Sequence, residues 1–189
     1  MGQSMSITRR GFLAATGSSL LITAACGNGV NSGAGAEIDA RVDATRQFLF
    51  DTYPGTRDLE NRASGVLWMP LMTEGGLFVG GGYGRGALRI SNVTVDYYSA
   101  TKASYGLQIG AQQYAHALFF MTDEALAEFR ASDGWAAGAD LRYATPDQGG
   151  ASIGKDTTEL DPVIPLIFGQ SGLIAGATLS GTKYTRIIP

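Results

Sequence analysis

A chain of 189 residues, 44% hydrophobic and 16% charged, is long enough for one domain with a real core and too short for two ordinary ones. Its 27 glycines follow no G-X-Y period and come with only 6 prolines, which argues against collagen and against Pro/Gly-rich disorder. A net charge of −3 argues against a nucleic-acid partner, and a single cysteine and a single histidine exclude an internal disulfide, a Cys/His zinc cluster and any catalytic pair needing two of either, so no metal or cofactor is expected.

Residues 1–25 have the form of an export signal. Thr8-Arg9-Arg10-Gly11-Phe12-Leu13 precedes an uncharged apolar run to Ile22, and Thr23-Ala24-Ala25-Cys26 follows. The run is about half of the ~20 apolar residues that a membrane-spanning helix needs. Arg9, Arg10, Phe12 and Leu13 resemble the twin-arginine signal, with Ala14 where lysine is usual, and that resemblance implies export of an already folded protein from a bacterial cytoplasm. Cys26 follows small residues as in a bacterial lipobox, which implies cleavage before it and attachment of a diacylglyceryl group. Thr23 stands where leucine is usual, so cleavage after Ala25 by an ordinary signal peptidase remains the alternative. Without the signal, 164 residues remain, with 12 basic and 17 acidic side chains and a net charge of −5.

Residues 26–36, rich in Gly, Asn and Ser, read as a flexible linker, and 37–189 as the folded domain. Ile38, Val42, Thr45, Phe48 and Leu49 share one face at helical spacing, opposite Asp39, Arg41, Asp43 and Arg46, until Pro54-Gly55 ends the run. This predicts an N-terminal amphipathic helix. A second short helix is expected over 56–62, and a buried strand over 65–69. Short strands are then expected at 76–82, 85–90, 93–99, 104–111 and 114–121, with a turn at Ser91-Asn92. Thr122 is positioned to cap a short helix near 123–131, with acids in its first turn and Arg130 in its last. Further strands are expected at 137–143, 163–168, 172–179 and 182–188, around a long loop at 144–160. The fold class is therefore α+β: an antiparallel, strongly curved sheet or barrel-like β domain, with an N-terminal helix and one short inserted helix.

Candidate chemistry is sparse. Gly82-x-Gly84-x-x-Ala87 fits a loose dinucleotide fingerprint, but the segment after it is too short and too β-branched to be the helix such a loop must open. His116 lies between alanines in an apolar strand and reads as a packed residue. Ser104, Ser152 and Ser171 lack a nucleophile elbow, and Asp123-Glu124 and Asp140 are explained by a helix start and a solvated strand. No catalytic residue is assigned. Trp68, Trp135, Tyr83, Tyr97, Tyr98, Tyr105 and Tyr143 read as core aromatics by default.

The glycine-rich strand is the candidate working surface. Gly80, Gly82, Gly84 and Gly86 share one face, while Tyr83 and Arg85 point to the other, because side chains alternate along a strand. A bare face lets a ligand lie against the strand, or lets another part of the protein pack closely there; both readings stand on the sequence.

Several stretches occur in a characteristic order: Ala63-Ser64-Gly65-Val66-Leu67, the run Gly75 to Gly86, Ser104-Tyr105-Gly106-Leu107-Gln108-Ile109-Gly110-Ala111-Gln112, Phe120 to Leu126, Trp135, Gly138-Ala139-Asp140, and Gly172 to Lys183. Together, from Ala63 to Ile187, they resemble the SYLF domain family, a lipid-binding domain also found in fungal and animal actin-patch and membrane-trafficking proteins. The resemblance implies phospholipid binding without catalysis. Eukaryotic members are thought to meet membranes through a basic amphipathic N-terminal helix, whereas residues 37–62 here hold four arginines against six acids. Actin binding is not carried over to a twin-arginine lipoprotein.

The expected function is that of a non-catalytic, lipid-anchored bacterial envelope protein that binds phospholipid or another apolar ligand. It would lie on the periplasmic side, at the outer membrane. The alternative is a structural or adhesion-like module that binds an envelope protein through its sheet.

Overall fold

The structure, a computed structural model, describes residues 33–138, 161–169 and 179–189, without the side chains of 76–79 and 104–111. Arg9, Arg10, Phe12, Leu13, Cys26, the loop 144–160 and most of the strands expected at 137–143 and 172–179 lie outside the described residues.

Helix α1 (Ala34–Thr52) starts immediately after Gly33, whose φ of 79° is open to glycine. Ala34, Gly35 and Ala36, expected as linker, are therefore helical, a correction that follows from alanine's high helix propensity at two of the three positions. Gly35 also lies close to Tyr97: a Cβ there would sit 3.0 Å from its hydroxyl. Ile38, Val42, Leu49 and Phe50 form the buried stripe. Pro54-Gly55 turns the chain into α2 (Thr56–Arg62), where the Thr56 hydroxyl donates to the Tyr53 carbonyl at 2.7 Å. Arg46 clasps Glu60 through two bonds of 2.7 Å, joining the helices.

The five short strands expected between 76 and 121, and the one at 65–69, merge into two long ones, β1 (Gly65–Ile90) and β2 (Val93–Phe120). Ser91 and Asn92, with φ of 49° and 65°, form the two-residue loop between them, a left-handed turn that matches the strand twist. The stretches left between the expected strands stay in the ladder: Met72 pairs with Tyr114, Gly75 with Ala111 and Tyr83 with Thr101. They bend the ribbon instead of ending it.

After β2 come α3 (Asp123–Ala131), β3 (Trp135–Ala136), β4 (Val163–Phe168) and β5 (Thr182–Ile187). Thr122 caps α3 through Ala125 N–H at 3.2 Å. The strand expected at 137–143 begins two residues earlier: Trp135 and Ala136 pair with β5, and Ala137 N–H still donates to the Thr182 carbonyl at 2.9 Å. The described strands form one antiparallel sheet in the order β1-β2-β5-β3, with β4 on the far end of β2. It curls into a half-barrel, as the α+β reading expected.

A bulge at Pro70-Leu71 sets which side chains face inward. The pairing skips from Met69↔His116 to Met72↔Tyr114, which inverts the alternation, so Leu67, Met69, Met72 and Glu74 all reach the concave side. Pro70 sits in the skip, where its missing N–H removes no ladder bond. The convex face carries Val66, Trp68, Ala87, Ala117 and Phe119 beneath α1 and α2. The concave face carries Tyr98, Tyr114, Leu118 and Phe120, plugged by Phe129 of α3.

Candidate functional site

The even-numbered glycines of β1 face the concave side, and that side is occupied. A Cβ on Gly84 would lie 2.5 Å from both the Leu71 carbonyl oxygen and the Met72 sulfur; on Gly86 it would overlap the Trp68 carbonyl. On Gly82 it would come within 2.8 Å of Glu74 Cγ. The first half of β1 thus folds across the second. Bare backbone at 82, 84 and 86 lets two stretches of one strand touch face to face, so at these positions the packing partner is the protein itself. Gly80 pairs with Ser104 further along the same ladder.

The opposite face of this stretch is open. Tyr83, 53% exposed, Gly84 and Arg85 line a surface cavity of about 150 Å³ together with Ile38 and Arg41 of α1 and the bulge residues Pro70 and Leu71. Glu37 and Thr73 complete its wall. The structure therefore brings three of the candidate residues together, but with a helix and a bulge that the sequence reading had not joined to them. Arg41 is paired with Glu37 at 2.6 Å, both side chains more than half exposed.

A second group of polar residues is buried inside the curl. Glu74, 3% exposed, accepts from Lys102 Nζ at 2.9 Å, Gln112 Nε2 at 3.0 Å and the Tyr114 hydroxyl. Burial pushes the Glu74 carboxyl up, but the hydrogen bonds from Tyr114, Lys102 and Gln112, with the charge of Lys102, outweigh it, and the net shift is downward. Next along β2, His116 is fully buried and shares a 2.8 Å hydrogen bond with the Tyr184 hydroxyl. Desolvation, with the nearby Lys102 charge second, lowers its pKa to about 3, so it is a neutral packed residue at neutral pH. Sequence reading missed the Glu74 cluster because its members meet only through the bulge. The available signal was the alternation of polar side chains at Gln112, Tyr114 and His116 as β2 enters its apolar end.

Among the described residues no group of three or more His, Cys, Asp or Glu could hold a metal ion, and no helix is long and apolar enough to cross a membrane. Residues 101–186 match the family described as Ysc84, Las17-binding protein actin regulator. That stretch carries a Ysc84/SYLF family domain match. The SYLF match begins in mid-β2 and takes in α3, β3, β4 and most of β5, so it contains Lys102, Gln112, Tyr114, His116 and Tyr184. The glycine-rich second half of β1 lies before it and is tied to it by the β1–β2 ladder, Gly82 opposite Lys102. No curated protein matches the chain.

Proposed function

We propose that this protein is a non-catalytic, lipid-anchored component of the bacterial envelope, exported by the twin-arginine route and acylated at Cys26, whose domain binds phospholipid or another apolar ligand. The observation that carries the reading is the SYLF match over 101–186, on a domain preceded by a signal of that form. The curled sheet supplies a frame, and a cavity beside Tyr83 and Arg85 opens against Ile38 and Arg41 of α1. The absence of a nucleophile elbow in the sequence supports a binding role without turnover. The test is mass spectrometry of lipids retained by the full chain purified from its own host. Stoichiometric phospholipid is expected, and a lipid-free chain that takes up none on incubation would refute the reading.

A second reading, binding of an envelope protein through the sheet, draws support from the family's description as a Las17-binding protein. In that case the purified chain would carry a protein in fixed ratio and no lipid.

A further inference from the structure

We propose that the buried Glu74–Lys102 pair, together with Gln112 and Tyr114, selects the bulged register of β1 against β2 and closes the curl of the sheet, serving conformational uniqueness more than stability.

The side chains are placed to do this. Glu74 and Lys102 are 4% and 6% exposed and belong to different halves of the β1–β2 ribbon: Glu74 pairs with Gln112, whereas Lys102 pairs with Gly82, further along β1. The 2.9 Å contact between them therefore crosses the bend. Gly82 provides the seat, since a Cβ there would come within 2.8 Å of Glu74 Cγ, so the acid lies directly over bare backbone. One carboxylate oxygen accepts from Lys102 and Tyr114, and the other from Gln112. Donors from both halves of the ribbon converge on one anion, and they reach it only when Glu74 faces inward.

Apolar burial does not by itself demand that facing. If the ladder ran on from Met69↔His116 without the extra residue, Leu71 would lie opposite Tyr114, Met72 opposite Gln113 and Thr73 opposite Gln112. Leucine would then replace methionine on the concave side, a swap that cores tolerate, threonine would replace glutamate there, and Glu74 would turn out to water. A second irregularity lies just beyond, where one β1 residue between Gly76 and Phe78 stands against three of β2. It can absorb the one-residue slip, so that Phe78 onward keeps its partners. What the slipped register loses is the anion, because Lys102 would stay buried without it. A buried charge left alone is costly, while replacing both members of a buried pair by apolar side chains is often neutral. The pair thus penalises the wrong register without adding much to the right one. Pro70 also opposes a regular ladder where its nitrogen faces β2, and the two devices are separable by substitution.

The experiment uses the full chain, labelled with nitrogen-15 and purified in detergent, with cross-strand contacts read from nuclear Overhauser spectra. The parent should give one set of resonances, with Thr73 against Gln113. Glu74→Met/Lys102→Met should keep or raise the melting temperature, yet show a second set at about a tenth of the intensity or more, with Met72 against Gln113. Pro70→Ala, which leaves the pair intact, should show only the parent's contacts. A double variant with a single set and the Thr73–Gln113 contact overturns the proposal, and so does a slipped set in Pro70→Ala. Should the double variant not fold, Glu74→Gln takes its place: it keeps the shape and removes the charge, so neither facing offers Lys102 an anion and the slipped set is again expected. Its absence there overturns the proposal equally.

Discussion

Single residues decide how tightly the sheet can curl. Gly86 has no room for a methyl group because the Trp68 carbonyl and the Met69 sulfur occupy that space, and backbone cannot swing aside as a side-chain tip can. Gly86→Ala should therefore destabilise the fold by about 1–3 kcal/mol, the usual range for overpacking, whereas Gly81→Ala, whose Cβ would meet only the Lys102 carbonyl at 3.4 Å, should change it little. Denaturant midpoints of the two variants check this; equal midpoints would mean the strand halves do not touch. His116 gives a test in pH. It stays neutral in the fold until about pH 3, while an unfolded imidazole titrates near 6.5, so between those values the unfolded chain holds the extra proton. Stability should then rise with pH through this window, by up to about 1.4 kcal/mol per unit, and be complete above it. The Glu74 carboxyl is shifted down, so its contribution is present above its ordinary value of 4.5 and is lost only as pH falls further. Between about pH 5 and 6.5 the slope belongs to the histidine. Unfolding in urea across that range should show the slope in the parent and not in His116→Gln; a slope that survives the substitution would assign it to other groups.

At the scale of elements, α1 is fixed to the sheet by charge as well as by its apolar stripe. Arg89, 7% exposed on β1, reaches Asp43 at 2.5 Å, and Asp39 accepts from the Thr94 and Tyr97 hydroxyls, each at 2.8 Å. Hydrogen bonds to charged groups contribute roughly 1.5–3 kcal/mol each. Arg89→Leu should thus speed amide exchange at residues 38–43 by about tenfold or more, with residues 49–53 unchanged, because Leu49, Phe50 and Tyr53 hold the other end by burial. Uniform acceleration along the helix would mean that α1 detaches as a unit. The same elements show what the sequence could and could not say. Helix α2 and helix α3 were legible to the residue, since Pro54-Gly55 and the Thr122 cap are local signals. The long strands were not, because a glycine in a strand gives the same local signal whether it ends the ladder or bends it. Pairing across β1 and β2 decides which. The inward facing of Glu74 depended on the extra residue at Pro70-Leu71, where the proline marks a break in the ladder but not how the pairing resumes after it. Alternation along the strand put Tyr83 and Arg85 on one face, but the default reading of Tyr83 as a core aromatic was wrong, since it is 53% exposed, and Arg41, more than forty residues earlier, could join them only through the docking of α1.

On the scale of the whole molecule, the docked helix bears on how the protein would stay at a membrane. The apolar stripe of α1 is used up against the convex face, and residues 37–62 carry more acids than arginines. In the proposed function, where the processed chain has a net charge of −5, the described residues then offer neither a free amphipathic helix nor a basic N-terminal helix to hold it against an anionic bilayer. In the proposed function, retention therefore falls to Cys26. A diacylglyceryl group contributes about 0.8 kcal/mol per buried methylene over two chains, whereas one chain alone binds marginally and reversibly. Cys26→Ser should move the protein from the membrane fraction to the soluble fraction while leaving the fold intact by circular dichroism. If it stays with the membrane and is released by high salt, ionic contacts of the domain suffice and the anchor is dispensable. If salt fails to release it, the apolar run ahead of Thr23 has stayed attached, and the leucine-like character missing at that position is the first thing to restore, through Thr23→Leu with Cys26 in place.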